Sequence, residues 1–133
     1  MPQLPLDQFY LYLKHLLSGL VMVTAFAAVY VRVTPFHELP LIRRGCTAAA
    51  LSLAGAIAGF SLTVASSILH NDHYLMFIVW GTLAAVVQMG TYLLIERSLP
   101  EMKAAIEANN IAMGALMGTV SLVVGVINAA CLS

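Results

Sequence analysis

Charge is scarce in this chain. Six lysines and arginines balance six aspartates and glutamates over 133 residues, so charged side chains make up 9% of it, against about 25% in an average soluble domain. Net charge is zero and no basic cluster occurs, which excludes nucleic acid as a partner. Cysteine is nearly absent as well. Cys46 and Cys131 fall at opposite ends of their segments, too far apart to pair, and a lone thiol without a neighbouring base is weak ground for a nucleophile. There is no HExxH, no phosphate-binding glycine loop and no nucleophile elbow. These absences point away from an enzyme, and no cofactor is implied. Metal is disfavoured too. His70-Asn71-Asp72-His73 offers ligand types but reads better as a short polar turn, and His15 and His37 belong to opposite sides.

What fills the chain instead is apolar. Hydrophobic residues make up 61% of it, gathered into four runs at 9–31, 45–69, 74–95 and 111–132. About 20 residues at about 1.5 Å each cross the roughly 30 Å hydrocarbon core of a bilayer. Backbone polar groups in lipid must be satisfied within the segment, so each run should be a helix. The expected fold is all-α: a single four-helix transmembrane domain over 1–133, with spans near 9–33, 45–69, 73–96 and 104–132. No signal peptide is expected, since Asp7 precedes the first run and Lys14 interrupts it.

The basic residues orient the spans. Arg32, Arg43, Arg44, Arg97 and Lys103 flank the first and third connections, while Lys14 alone lies on the other side. The positive-inside rule then places both connections in the cytoplasm and both termini outside it. Ser98-Leu99-Pro100-Glu101 reads as a capping box that starts a helix continuing through Asn109 into the fourth span. Thr34-Pro35 offers a similar start, interrupted by Pro40, and Asn71 or Asp72 can cap the third span. The likeness of the two basic connections suggests two parallel two-helix repeats.

Aromatic residues concentrate on the first and third spans: Phe9, Tyr10, Tyr12 and Tyr30, then Tyr74, Phe77, Trp80 and Tyr92. An interfacial belt explains them. The second and fourth spans carry small residues on one face instead, Ala48, Ser52, Gly55, Gly59 and Ser66 on one, Gly114, Gly118, Ser121, Gly125 and Asn128 on the other. Each face holds a GxxxG, which permits close backbone approach. Gly55, Gly59, Gly114, Gly118, Ser121 and Gly125 are therefore the expected helix-packing positions. Ala49, Ala56, Thr63, Gly81, Ala84 and Ala85 would remain for contacts between copies, giving a homo-oligomer in the lipid bilayer.

A family resemblance rests on Thr34-Pro35, Glu38, Leu41-Ile42-Arg43, Gly45, Ala48-Ala49-Ala50, Gly55 and Gly59-Phe60 in the first half. Trp80, Ala84, Gln88, Tyr92, Pro100, Gly125 and Asn128-Ala129-Ala130 extend it through the second. Together they resemble the YjfL-type family of small bacterial inner-membrane proteins of unknown function. Two positions depart: Gly45-Cys46 stands where the family has Gly-Asn, and Thr63 stands where a proline often follows the Gly-Phe pair. A role for that asparagine does not carry over. The resemblance implies a bacterial cytoplasmic membrane and association with envelope-stress gene sets.

Five polar residues are the functional candidates: Glu38, Arg43, Gln88, Glu96 and Asn128. An amide at mid-span, such as Gln88, is costly unless bonded, and a helix-to-helix hydrogen bond is its simplest use. Glu38 and Glu96 lie near the basic connections, where local pairing or snorkelling competes with a carboxylate ring at a pore mouth. The leading expectation is an oligomeric interaction or scaffold component in envelope maintenance or stress response, with envelope-stress membrane proteins as partners. The alternative is a subunit of an oligomeric ion or small-solute channel.

Overall fold

The computed structural model describes residues 5–70 and 73–132. Six helices follow one another: α1 (Leu6–Val33), α2 (Glu38–Arg43), α3 (Thr47–His70), α4 (Tyr74–Ser98), α5 (Met102–Glu107) and α6 (Ile111–Cys131). The four long ones are apolar and long enough to cross a membrane. The short α2 and α5 lie in the two basic connections.

α3 and α6 make the closest contact in the molecule, and glycine is the reason. A β-carbon on Gly55 would occupy the backbone of Gly118, one on Gly114 that of Ala48, and one on Gly125 that of Gly59. One on Gly59 would stand 2.7 Å from the Ser121 carbonyl oxygen. Two hydroxyls stitch the same seam, Thr63 Oγ1 donating to Gly125 O at 3.0 Å and Ser66 Oγ to Ala129 O at 2.6 Å. These contacts advance along both helices in the same direction, so the pair is parallel.

α4 lies in one groove of that pair. Gln88 Nε2 donates to Ala56 O at 3.0 Å, Asn128 Nδ2 to Ala84 O at 3.1 Å, and Ser67 Oγ to Phe77 O at 3.2 Å. α1 packs beside α4 on α3. Phe26 stacks on Phe60 with ring centroids 4.4 Å apart, and Gly19 faces Val64 and Ile68. The outer face of α1, including Phe9, Tyr10, Tyr12, Leu17 and Leu20, is exposed as a lipid-facing surface should be.

The connections differ from the sequence expectation. Helix does not run unbroken from Leu99 into the fourth span, which begins at Ile111 instead of near 104. Asn109 takes a left-handed backbone (φ 59°), a conformation asparagine tolerates, and that residue separates α5 from α6. No capping box forms either. Ser98 is the last residue of α4, its hydroxyl donates to Leu94 O at 3.0 Å, and Glu101 is the N-cap of α5 without a side-chain bond. Thr34 closes α1 instead of opening α2, whose N-cap is His37. Pro40 sits in the first turn of α2, where no intrahelical N–H bond is lost. Asn71 and Asp72 lie outside the described residues, and His73 precedes α4 without a side-chain cap.

The two connections nevertheless share one backbone design, 64 positions apart. Gly45 (φ 86°) and Asn109 (φ 59°) are the left-handed residues. Cys46 N–H donates to Leu41 O at 2.9 Å, and Asn110 N–H to Ala105 O at 2.8 Å, the long bond of a Schellman motif in each. They diverge at the next helix start. Asn110 caps α6 by accepting from Met113 N at 3.2 Å, a bond the Cys46 side chain does not supply to α3. Asn109 reaches across instead, its Oδ1 accepting from Ala48 N at 3.0 Å, while Cys46 Sγ donates to Ile106 O at 3.2 Å.

Candidate functional site

The polar groups of the bundle interior fall into two kinds. Gln88 and Asn128 lie between helices and donate to backbone carbonyls of their neighbours, which makes them interhelical ties. The other kind lies where α1, α3, α4 and α6 meet beneath α2, and its members are buried without a hydrogen-bond partner.

Glu38 is the most unusual of them. It is the first residue of α2, a helix folded back onto the end of α3, and its side chain is only 1% exposed. Neither carboxylate oxygen has a hydrogen-bond partner. Burial pushes its carboxyl up to about 7, with the nearby Thr34 hydroxyl pulling the other way. Phe36 is likewise 1% exposed, and Thr34 spends its hydroxyl on Val31 O and Phe36 O at 3.3 Å each.

Three hydroxyls share this region. Tyr30, Ser52 and Tyr92 are buried, and their oxygens have no hydrogen-bond partner. The Tyr30 and Tyr92 rings meet edge-on at 5.0 Å. The Tyr30 hydroxyl faces Ser52, Tyr92 and Ser121, and the charge of Glu38 acts on both tyrosines. The charge of Glu96 also acts on Tyr92, and one of its carboxylate oxygens is buried and unpartnered. One turn away, Gln88 leaves its Oε1 unpartnered, and the gap it forms with Tyr92 and Ser121 has no room for a water molecule. Buried polar atoms without partners cost roughly 1–3 kcal/mol each, more for a charged group, so this cluster is costly to keep.

The sequence candidates therefore divide. Glu38, Gln88 and Glu96 come to the cluster, Asn128 stays with the α4–α6 tie, and Arg43 is exposed at the end of α2. Tyr30 and Tyr92, expected in an interfacial belt, are buried at 1% and 3% exposure and form its centre. One signal for Tyr92 was available, because Gln88, Tyr92 and Glu96 recur every fourth residue and share a face of α4. Ser52 gave none, since it lies in the small-residue stripe of α3. Among the described residues, no three His, Cys, Asp or Glu side chains gather as a metal site.

Helices, composition and interior together define a multi-pass α-helical membrane protein. The chain belongs to the family described as Domain of Unknown Function (DUF350), whose model matches residues 3–132. It is 30% identical over 128 residues to the UPF0719 inner membrane protein YjfL of Escherichia coli strain K12, an alignment covering 96% of this chain and 97% of the relative. The YjfL protein of Escherichia coli O157:H7 matches at the same identity and coverage. No solved structure matches. Kinship with an inner membrane protein and four membrane-length helices make this a multi-pass protein of the bacterial inner membrane.

Proposed function

We propose that this protein is a homo-oligomeric interaction component of the inner membrane, built from a duplicated two-helix unit with both termini extracytoplasmic. Its setting is envelope maintenance or stress response, with other membrane proteins of that response as partners.

The observation that carries this reading is a helix face without an intramolecular partner. The small positions expected to serve contacts between copies are used inside the chain: Ala49, Ala56 and Thr63 are fully buried, and Gly81 and Ala84 are buried as well. A different small-residue row on α3 stays open. Ala54, Ala58 and Ala65 are exposed, with Ala50 and Ser61 half-buried beside them. Shifted by the 64 positions that relate the two connections, Ala50, Ala54 and Ser61 fall on Gly114, Gly118 and Gly125, the face by which α6 packs on α3. Likewise Ala48, Ser52, Gly55 and Gly59 fall on Ala112, Leu116, Thr119 and Val123, all exposed on α6. The α3–α6 contact can therefore be repeated between copies, the open face of α6 meeting the open row of α3 in the next chain. Both helices run the same way through the bilayer, so this head-to-tail contact generates a ring about the membrane normal if its rotation closes.

A conduit through one chain is disfavoured, because Gln88 and Asn128 spend their amides on helix backbones. The test is the mass of the particle in lipid nanodiscs. The wild type should weigh two or more whole chains, and the double variant Ala54→Phe, Ala58→Phe should revert to one. A wild-type particle of a single chain overturns the reading.

A further inference from the structure

The helix-face argument leaves the cluster under α2 unused, and its chemistry is specific. Its donors are all oxygen: two from the Glu38 carboxylate and one each from Tyr30, Ser52 and Tyr92, every one buried and unpartnered. Such a set suits a hard cation. The titratable groups on which Glu38 acts come from α1 and α4, Tyr30 and Tyr92, and Glu96 acts on Tyr92 as well. None is cationic. When ionised, Glu38 places one negative charge in a low-dielectric setting without a counter-ion, and a single positive charge neutralises it. A divalent ion would leave an uncompensated charge, unless the more distant Glu96 also moved in.

We propose that Glu38 and the hydroxyls of Tyr30, Ser52 and Tyr92 form a binding site for one desolvated monovalent metal cation, sodium being the probe. Tyrosine and serine hydroxyl oxygens can each turn a lone pair toward the ion. As the first residue of α2, Glu38 makes occupancy control the seating of that helix on α3. This goes beyond the interaction role, and a ring is not required for it.

The test is carbodiimide modification of the full-length protein, read by mass spectrometry of peptides. Dicyclohexylcarbodiimide adds to a protonated buried carboxyl, and a cation-bound carboxylate resists it. In choline chloride Glu38 should be modified. Replacing choline by sodium at constant ionic strength should slow modification about tenfold at ten times the dissociation constant. E38Q should show no modification at this position. Y30F/Y92F keeps the carboxyl and should still be modified, with sodium protection lost or shifted to much higher concentration. In parallel, sodium over choline should raise the Tm of the wild type and not that of E38Q. A modification rate indifferent to sodium, lithium and potassium, together with equal thermal responses of wild type and E38Q, overturns the proposal. If Glu38 resists modification in every buffer, the thermal comparison decides alone: a rise confined to the wild type supports the site, and equal responses sink it.

Discussion

Adding one methyl group to Gly55, inside the α3–α6 seam, should do far more damage than adding one on the lipid-facing surface. At Gly55 the new β-carbon meets the backbone of Gly118, which has no rotamer to escape into. The helices must separate. Overpacking of this kind costs about 1–3 kcal/mol, and separation also stretches the Thr63–Gly125 and Ser66–Ala129 bonds of 3.0 and 2.6 Å, worth about 0.5–1.5 kcal/mol each. The gain in helix propensity returns up to about 1 kcal/mol. The balance is a loss of roughly 1–5 kcal/mol. Gly90 supplies the control: a β-carbon there meets nothing within 4 Å, so G90A should be neutral or stabilising by up to about 1 kcal/mol. Reversible unfolding of both variants in mixed micelles, followed by circular dichroism, measures the difference. Equal stabilities of G55A and G90A would falsify the backbone-contact account of the α3–α6 seam.

Glu38 gives stability a pH dependence. Its carboxyl stands near 7 in the folded protein against an ordinary 4.5, so the folded state holds the proton more tightly. Stability in choline buffer should therefore fall as pH rises from about 4.5 to about 7 and level off above, by about 3 kcal/mol in all. E38Q should flatten that profile, and an unchanged slope in E38Q would refute the assignment. N109A loses both the left-handed tolerance and the cross-cap on Ala48, and should cost about 1–3 kcal/mol, whereas N109G should cost less because it keeps the backbone conformation. A cysteine placed beside Arg44 should react with impermeant maleimide only when the inner face is opened. Labelling of intact cells at that position would reverse the orientation.

How much of this was legible follows from what each residue's neighbours decide. Membrane-length apolar runs announce four helices because lipid admits no other way to satisfy their backbone. Helix ends were less legible. Ser98 and Glu101 carry the capping-box spacing, yet Pro100 and the end of α4 place Ser98 inside the preceding helix, and Asn109 breaks α5 from α6 through a backbone angle that composition does not reveal. The cluster was half legible. Charge singled out Glu38 and Glu96, but nothing in Tyr30 or Ser52 distinguishes a belt aromatic or a packing serine from a group aimed at a buried carboxylate. That distinction depends on α2 folding back, a tertiary event set by the turn at Thr34–His37. Gln88 was readable as a helix tie from mid-span polarity alone, although its acceptor, Ala56, was not.

Disulfide cross-linking in native membranes tests the central claim most directly. In a background with Cys46 and Cys131 replaced by serine, cysteines are placed singly and together at Ala54 on the open row of α3 and Thr119 on the open face of α6. Head-to-tail assembly predicts cross-linked dimers and higher multimers from the double variant, and from a mixture of the two single variants dimers alone, with neither single variant linking to itself. Cross-linking of Ala54→Cys to itself would mean a two-fold, face-to-face contact instead, and no cross-linking in any combination would mean that lipid alone covers the α3 row.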